Sequence, residues 1–336
     1  MSLADLPPDG GLVYYPDSEP GIARKRRGRG FSYHGPDGAL VDTAERERLV
    51  ALAVPPAYDD VWLSPYPNGH LQATGRDEKG RKQYRYHPDW TAHQYLVKFD
   101  GLVALGRALP RLRRWIASHL RGDVGAFETA LAATLALIDR ASLRVGDPGY
   151  TLVNGSHGAT TLLPEHVETD GGAIALSFIA KGGQAVEKAL HAPKLAEVLE
   201  ESQDLPGAHL ISWIDTDGTG YGIRGEQINA KLRDLCGEGV TAKALRTWNG
   251  THAAFMVATT TEGSLTISAM ASAAADRLHN TETIARGSYI HPSVIALAEW
   301  PADERLALLE GDTPRGGWRV GEAALVSFLE GSTGPA

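Results

Sequence analysis

The sequence predicts an α+β protein, with a small strand-rich N-terminal domain and a larger, mainly helical domain that contains a small antiparallel sheet. The 336 residues are too many for one small core, so two domains are expected. Short β-like segments separated by turn residues fill residues 30–87, whereas apolar residues recur at helical spacing after Pro88. We therefore expect an acidic, poorly ordered tail at 1–20, a strand-rich domain at 21–91 and a mainly helical domain at 92–330.

Turn residues separate the predicted elements of the strand-rich domain. Pro36–Gly38 is a turn signal, and Glu45–Leu52 is a candidate helix. Val61–Leu63 and Gln83–Tyr86 have the composition of strands. The cation-rich run Arg24–Arg29 is typical of a solvated arm, and a phosphate contact is the open alternative.

The larger domain is predicted to be mainly helical, with a sheet inserted between residues 160 and 189. Apolar residues at helical spacing define the predicted helices: Leu102–Leu120, Phe127–Leu143, Gly225–Cys236, Thr241–Ala258 and Leu265–Leu278. Strands are expected at Thr161–Leu163 and Ile174–Ile179. Tight turns at Asp170–Gly172 and Lys181–Gly183 predict antiparallel pairing.

Composition and spacing argue against several classes of protein. The single cysteine, Cys236, rules out an internal disulfide and fits a reducing compartment. With no run of 18 apolar residues and no signal-peptide pattern, we expect a cytoplasmic protein with no membrane partner. Gly220–Gly225 matches a dinucleotide fingerprint, but repeated βαβ units are lacking. The histidines form no metal-ligand pattern, so we predict no metal site and no cofactor.

The net charge of −8 is unevenly distributed along the chain. Residues 1–20 contain four acids and no Lys or Arg, and residues 297–336 contain seven acids against three arginines. Residues 24–87 instead contain twelve Lys or Arg against eight acids. A basic segment between acidic ends is compatible with a polyanionic partner.

The segment Gly75–His87 interleaves cations with tyrosines and a glutamine. Alternate residues of a strand face opposite ways, so Lys82, Tyr84 and Tyr86 share one face. Lys and Arg suit phosphates, whereas Gln and Tyr reach base edges or sugars. The alternative is a solvated strand. The candidate nucleic-acid contacts are Arg76, Arg81, Lys82, Gln83, Tyr84 and Tyr86.

Five residues in the larger domain form a candidate catalytic set: Arg144, Lys181, Arg246, Asn280 and Tyr289. Each also has an ordinary explanation, such as a helix-end arginine, a solvated turn lysine, a basic helix face or a core tyrosine. Together, two guanidiniums, an ammonium, an amide and a phenol supply the chemistry needed to break and remake a phosphodiester without a metal.

The ordered motifs resemble those of the type IB DNA topoisomerases, of the compact bacterial and poxvirus kind. The resemblance covers roughly residues 24–300. It rests on seven segments: Pro55–Trp62, Gly75–His87, Gln94–Asp100, Leu143–Gly146, Lys181, Lys243–Trp248 and Ser288–Pro292. Any one of these would be a weak signal, but their order in one chain is specific.

The resemblance implies a mechanism. Tyr289 would attack a phosphodiester of duplex DNA to give a 3′-phosphotyrosyl link, while Arg144 and Arg246 hold the non-bridging oxygens. Lys181 would protonate the leaving 5′-oxygen, and religation would need neither ATP nor metal. Strand rotation before religation would relax supercoils. The family also implies a nucleoid-associated monomer whose 21–91 domain closes on DNA as half of a clamp.

One position departs from many relatives, which place a histidine nine residues before the nucleophile. That position is Asn280 here, and His279 is its neighbour. An asparagine still donates a hydrogen bond to a phosphate oxygen, although it carries no positive charge. We therefore assign the role to Asn280, with His279 as the alternative.

Two other functions are compatible with parts of this pattern. A site-specific tyrosine recombinase uses the same covalent chemistry, but recombinases usually have His-x-x-Arg where this chain has Lys243–Arg246, and their N-terminal domains are helical. A catalytically inactive DNA-binding protein would need none of the five site residues. This chain differs from the recombinases in both features, and it has all five site residues. Both observations favour the topoisomerase.

Overall fold

A computed structural model describes residues 11–314 and 316–332, without the side chains of residues 95–97, 100 and 332. The α+β fold class is confirmed, because a strand-rich region precedes a mainly helical one. The chain divides into two compact units, of which the first ends at Lys98 and the second begins at Phe99. Among the described residues, no helix is long and apolar enough to cross a membrane, and no group of three His, Cys, Asp or Glu residues is arranged to hold a metal ion.

The first unit is built on one antiparallel sheet with the strand order β2-β1-β3-β4-β5. Its strands are β1 Ile22–Arg27, β2 Gly30–His34, β3 Asp59–Leu63, β4 Leu71–Arg76 and β5 Lys82–Tyr86; its helices are α1 Thr43–Ala51 and α2 Pro88–Asp100, which extends past the unit boundary. Leu49 of α1 packs with Ile22, Leu63 and Ala73 in the core of the sheet. The predicted helix at 45–52 and the strands at 61–63 and 83–86 are confirmed.

The Arg24–Arg29 run is not a free arm, because most of it lies in β1. Arg24 donates hydrogen bonds to the carbonyl oxygens of Val54 at 2.9 Å and Tyr58 at 2.7 Å. Its guanidinium therefore binds the loop before β3, and pairing with neighbouring strands fixes the backbone of the run. The expectation of a solvated arm was wrong for Arg24.

Part of the acidic N-terminal segment is described, and it contacts the sheet. Residues 1–10 lie outside the described residues. Val13 forms a β-bridge with Gly69, and the backbone N–H of Tyr15 donates to Nδ1 of His70 at 2.9 Å. The carboxylate of Asp17 forms an ion pair with Lys82 of β5. Residues 11–20 thus bring a negative charge to a strand with candidate DNA contacts.

The second unit is mainly helical. Its helices are α3 Leu102–His119, α4 Phe127–Ala141, α5 Pro148–Asn154, α6 Pro193–Ser202, α7 Gly225–Cys236, α8 Ala242–Thr260, α9 Ile267–Leu278, α10 Glu282–Tyr289, α11 Pro292–Ala296, α12 Ala302–Ala307 and α13 Glu322–Ser332; short 3-10 helices cover Pro164–His166 and Leu297–Glu299. The five predicted helices correspond to α3, α4, α7, α8 and α9. Helices α4 and α8 are buried on most sides, so they form the centre of the unit.

The inserted sheet is antiparallel, with the order β6-β7-β8, and consists of β6 Val167–Asp170, β7 Ala173–Ala180 and β8 Gln184–His191. Both predicted tight turns are present. The predicted strand at Thr161–Leu163 is wrong: Thr161 is in a turn, and Leu162 and Leu163 follow it as coil. Thr161 and Leu162 are buried, so their composition reflects burial rather than pairing. A small second sheet contains β9 Ser212–Ile214 and β10 Gly220–Gly222.

A buried ionic cluster joins α3 to the last turn of α4 and the first residue of α13. Arg113 lies 3.0 Å from Asp139 and 2.5 Å from Glu322, both of which are almost fully buried. Glu322 also accepts a hydrogen bond from the indole of Trp248 at 3.1 Å. The carbonyl of Asp139 accepts from the amide of Asn249 at 3.1 Å. This cluster therefore orients α8, from which the candidate site is built.

Candidate active site

Tyr289 is the last residue of α10 and is held against α8 by its backbone. Its carbonyl oxygen accepts a hydrogen bond from the hydroxyl of Thr251 at 3.1 Å, and the same hydroxyl accepts from the N–H of His291 at 3.1 Å. Gly250 permits this approach, since a Cβ at that position would lie 2.8 Å from the Tyr289 carbonyl oxygen and 2.8 Å from a methyl of Leu278. The phenol is half-buried, and its side chain also forms a hydrogen bond with that of Arg246.

Arg246 lies on α8, with only 4% of its surface exposed. Its guanidinium donates to the carbonyl oxygens of Ser142 and, at 2.9 Å, Leu278, while its Nε is buried without a partner among the described residues. The guanidinium carbon is 5.5 Å from the centre of the Tyr289 ring. Burial, and then Arg144, lowers the pKa of Arg246 to about 10, which leaves it charged at neutral pH.

Arg144 follows α4 in the loop that begins at Ser142, a residue in the left-handed conformation with φ 55°. Its backbone carbonyl accepts from the N–H of Ala159 at 2.8 Å, which fixes the loop. Its half-buried guanidinium donates to Oδ1 of Asn280. Burial lowers the pKa of Arg144, whereas Tyr289 acts in the opposite direction. Both arginines of the candidate set therefore lie next to the phenol.

Asn280 projects from the turn that ends α9. His279 is left-handed at φ 49°, and the N–H of Asn280 donates to the carbonyl of Ala275 at 3.1 Å, as in a Schellman-type helix end. The amide oxygen of Asn280 accepts from Arg144, which leaves its Nδ2 buried and without a partner in the described part of the chain. A donor with no internal partner is available to a ligand oxygen.

His279 is adjacent to this turn but has a different environment. Its Nε2 is also buried and has no partner within the described ranges. Burial, together with Lys188 and Arg246, lowers the pKa of His279 to about 4. The imidazole is therefore neutral at pH 7. No hydrogen bond joins His279 to Arg144 in the described residues, whereas Asn280 has one.

Lys181 lies apart from the other four residues, in the three-residue turn between β7 and β8. Its side chain is exposed, and its Nζ lies 5.1 Å from the centre of the Tyr150 ring. Gly182 and Gly183 follow it with φ 86° and 77°, a conformation that suits glycine. Among the described residues, no contact joins Lys181 to Arg144, Arg246, Asn280 or Tyr289.

Four of the five candidate residues thus come together, and we refer to Arg144, Arg246, Asn280 and Tyr289 as the tyrosine cluster. They come from four segments: the loop after α4, the middle of α8, the turn after α9 and the end of α10. No carboxylate forms an ion pair with either arginine in residues 11–314 or 316–332. Buried cations without a counter-charge are costly, so the cluster is suited to an anion such as a phosphate.

The candidate DNA contacts of the first unit belong to β4, β5 and the turn between them, and we call Arg76–Tyr86 the basic hairpin. Tyr84 and Tyr86 stack at 6.1 Å, and Lys82 lies 5.5 Å from the centre of the Tyr84 ring, so these three side chains are neighbours. Two neighbouring residues of the hairpin, Arg81 and Gln83, share a carboxylate partner. Arg81 is 2.7 Å and Gln83 is 2.9 Å from the carboxylate of Asp77.

Arg76 and Lys82 of the basic hairpin are also paired with acids or carbonyls. Lys82 binds Asp17, and Arg76 lies 3.6 Å from Asp60 and donates to the carbonyl of Gly80 at 3.1 Å. Arg76 and Lys82 are exposed. A DNA phosphate at these positions would therefore exchange with an existing partner.

Comparison with known families identifies the chain. A family described as the N-terminal domain of bacterial DNA topoisomerase IB matches residues 30–77. The catalytic core of eukaryotic DNA topoisomerase I matches residues 88–279, which is more than half of the chain. The chain belongs to the type IB DNA topoisomerases. Asn280 and Tyr289 lie outside both matched segments, so any role for them rests on geometry.

The topoisomerase is also similar to the DNA topoisomerase 1B of Acanthamoeba polyphaga mimivirus. The two are 29% identical over 233 residues, which make up 68% of this chain and 69% of the relative. The family resemblance read from the motifs is confirmed, and nothing in these matches favours a recombinase. The protein is an isomerase that relaxes DNA, and DNA is its partner.

One residue of the topoisomerase beside the tyrosine cluster, Lys188, was not predicted from the sequence. Lys188 lies in β8, and its Nζ donates to the carbonyl of Arg277 at 2.6 Å, in the last turn of α9. A period-two pattern could have found it, since Val186, Lys188 and Leu190 share a face of the strand. A lysine in an otherwise apolar row indicates a buried polar partner.

Proposed function

We propose that Tyr289 of the topoisomerase cleaves one strand of duplex DNA. The phenol oxygen forms a bond to the phosphorus, the bond from phosphorus to the 5′-oxygen breaks, and the phenol gives up its proton to solvent water. The product is a 3′-phosphotyrosyl link and a free 5′-hydroxyl. One observation supports this proposal: two arginines and the unpartnered amide donor of Asn280 lie together beside the Tyr289 phenol. Neither arginine forms an ion pair with a carboxylate in the described residues.

Arg144, Arg246 and Asn280 stabilise the charge that develops on the non-bridging oxygens. Nε of Arg246 and Nδ2 of Asn280 are buried donors without partners in the described residues. Donors that are already oriented need no reorganisation when the charge appears, and one such donor contributes about 10²–10³ in rate. The contact of Asn280 with Arg144 supports Asn280 over His279 for the third position.

Lys181 donates the proton that the leaving 5′-oxygen needs. An ammonium suits proton transfer, because lysine changes its pKa readily, whereas arginine stays charged and suits clamping. It lies in a turn where two glycines follow it, and the proposal requires this turn to bring Lys181 to the bound phosphodiester. Religation reverses the steps: the 5′-hydroxyl attacks the phosphotyrosine, and Tyr289 leaves. The phosphotyrosyl bond keeps the energy of the original bond, so the cycle proposed here needs neither ATP nor metal.

The first unit binds the duplex without sequence specificity. Its basic hairpin has cations and stacked tyrosines that suit phosphates and sugars. We propose that this unit and the catalytic unit act on DNA as a two-part clamp in a monomer, at the nucleoid in the cytoplasm. Rotation of the nicked duplex within the clamp, before religation, relaxes supercoils.

Replacing Tyr289 with Phe tests the proposal directly. The variant should bind duplex DNA but leave no covalent adduct after a denaturant quench, and it should not relax a supercoiled plasmid in EDTA. Tyr221→Phe, at an exposed tyrosine of β10, is the matched control and should keep full activity. Relaxation by Tyr289→Phe would overturn the proposal.

The same assay separates the alternatives. A recombinase acts only at its own sites, so relaxation of a plasmid of arbitrary sequence by the unmodified protein contradicts that function. A catalytically inactive binding protein would leave no covalent adduct even with Tyr289 intact.

A further inference from the structure

Lys188 is a half-buried lysine in the middle of β8, with no carboxylate partner in the described residues. Its Nζ donates to the carbonyl oxygen of Arg277 at 2.6 Å. Burial, with Arg277 and Arg246 nearby, lowers the pKa of Lys188 to about 7, so its ammonium form has a desolvation cost and is only partly populated at neutral pH. A solvated surface lysine has no such cost, which indicates a specific task for this one.

The end of α9 receives hydrogen bonds from two cations. Lys188 binds the carbonyl of Arg277, and Arg246 binds the carbonyl of Leu278 at 2.9 Å. The last carbonyls of a helix have no intrahelical donors and form the negative end of its dipole, so cations there are stabilising. The two residues that follow are His279 and Asn280. Lys188 and Arg246 therefore bind the two carbonyls that come shortly before the Asn280 turn, and both help to set its position.

Lys188 also belongs to the hairpin that carries Lys181. In the β7–β8 ladder, Lys188 pairs with Leu176, and the ladder ends at the pair Ala180 and Gln184, next to the turn. The hydrogen bond to Arg277 ties the base of this hairpin to α9. One side chain thus connects the segment with the proposed general acid to the segment with the proposed amide donor.

We infer that Lys188 is a positioning residue of the topoisomerase, which fixes the Asn280 turn, and with it the Lys181 hairpin, through its hydrogen bond to the Arg277 carbonyl. The inference rests on the roles proposed above for Asn280 and Lys181. Lys188 does not touch the phosphodiester. Its contribution is geometric, because displacement of a catalytic group by about 1 Å can reduce a rate as much as 10²-fold.

The first test compares Lys188→Met, which keeps the length but removes the donor, with Lys188→Arg, which keeps a cationic donor. Single-turnover cleavage, read as covalent adduct on a suicide duplex, should fall about tenfold in Lys188→Met. DNA affinity should stay within about twofold, since the effect is on geometry. Lys188→Arg should restore most of the rate. Lys194→Met, at an exposed lysine of α6, is the control and should cleave normally.

The second test asks whether Lys188 acts through Asn280. If it does, Lys188→Met should cost less than about twofold in an Asn280→Ala background, because residues that act as one unit are not additive. A full tenfold further loss would overturn the inference, as would normal cleavage by Lys188→Met. If Lys188→Met fails to fold by circular dichroism, Lys188→Gln, which keeps a neutral donor, replaces it in both tests.

The control variant Tyr289→Phe distinguishes this inference from the proposed function. If Tyr289→Phe is inactive and Lys188→Met cleaves normally, only the role of Lys188 is refuted. If Tyr289→Phe cleaves DNA, the proposed nucleophile is wrong irrespective of what Lys188 does.

Discussion

The tyrosine cluster and the basic hairpin both present cations, but they hold them in opposite ways. Arg246 is 4% exposed and binds backbone carbonyls, and Arg144 binds an amide oxygen. In the basic hairpin, Arg81 and Lys82 are exposed and bind the carboxylates of Asp77 and Asp17. The second unit therefore keeps these two positive charges without a carboxylate partner at one fixed point, while the first unit pairs Arg81 and Lys82 with its own carboxylates.

The energies of the two arrangements explain the division. An exposed ion pair contributes roughly 0–1 kcal/mol, so a DNA phosphate replaces a carboxylate at little cost and without a required register. Placing an unpaired cation in a protein interior costs several kcal/mol, and an anion held between the cations recovers this. The basic hairpin thus suits sliding, non-specific contact, and the tyrosine cluster suits one phosphate in one geometry.

The largest expected effect follows from replacing a fixed cation of the tyrosine cluster. Arg246→Lys keeps the charge but cannot bind the carbonyls of Ser142 and Leu278 and also present a donor to the phosphate. We expect single-turnover cleavage to fall by about 10²–10³ with little change in DNA affinity. Arg233→Lys, at an exposed position of α7, should be neutral. Equal rates for the two variants would mean that the buried guanidinium is structural only.

A smaller loss should separate Asn280 from His279. Asn280→Ala removes the unpartnered amide donor and the contact with Arg144, so relaxation of a plasmid should slow by about 10²-fold. His279→Ala should slow it much less, because this imidazole is neutral and has no bond to Arg144 within the described ranges. A severe loss confined to the His279 variant would reverse the assignment.

Removing an acidic partner of the basic hairpin should have the opposite effect and raise the affinity for DNA. Asp17→Asn frees Lys82, so affinity for duplex DNA should rise by about two- to fivefold at low salt, corresponding to an exposed pair of up to about 1 kcal/mol. Glu19→Gln makes the same charge change two residues away, where no ion pair forms in the described part of the chain, and should have a smaller effect.

Fluorescence anisotropy on a labelled duplex measures both variants. The gain should disappear when Lys82→Met is combined with Asp17→Asn. If the gain persists there, or if Glu19→Gln matches Asp17→Asn, the effect comes from net charge rather than from the Asp17–Lys82 pair.

The smallest effect concerns acid stability. Burial lowers the pKa of His291 to about 4, and burial with nearby cations lowers that of His279 to about 4. Unfolded histidines titrate near 6.5, so the unfolded state binds more protons, and stability falls as the pH drops from about 6.5 to 4. In the basic hairpin, Arg81 lowers the pKa of Asp77 to about 2, so this carboxylate stays ionised over the same range.

A double variant, His279→Asn with His291→Asn, should reduce that loss. Asparagine tolerates the left-handed conformation at 279 and caps the start of α11 at 291. Between pH 7 and pH 5, the Tm of the double variant should fall less than that of the unmodified protein. The difference should be roughly 2–4 °C for each kcal/mol of unfolding free energy that the variant retains. If the Tm of the two proteins falls equally with pH, groups other than His279 and His291 determine the loss of stability in acid.

The sequence predicted the long elements because their apolar residues repeat with a clear period. Helices α3, α4, α7, α8 and α9 all bury a face, and that burial is encoded locally. Helix α5 has no buried residue and α10 buries only Ala285, so neither has an apolar stripe to read. The strand predicted at Thr161–Leu163 was wrong because a buried segment that pairs with no strand can have the same composition as a buried strand.

The candidate site was predicted from residue types, but its arrangement was not. Taken alone, the segment around Arg246 reads as a solvated basic face, yet Arg246 is buried. Its partners are the carbonyls of Ser142, 104 positions away, and Leu278, 32 positions away. Lys188 was missed because its partner is also a backbone carbonyl, 89 positions away. Contacts to main-chain oxygens leave no side-chain pattern, so only the fold reveals them.

The turn at Lys181 has a consequence for how many supercoils one cleavage event removes. Under the proposed mechanism the same lysine protonates the 5′-oxygen in cleavage and accepts that proton in resealing, so a displaced hairpin slows both steps. Gly182 and Gly183 both have positive φ in this turn, beside an otherwise regular ladder. Under that mechanism the open time of the nick, and hence the number of rotations that DNA torque drives before closure, would depend on how often the turn brings the Lys181 side chain to the break. Stiffening the turn would therefore change the step size of relaxation without altering the tyrosine cluster.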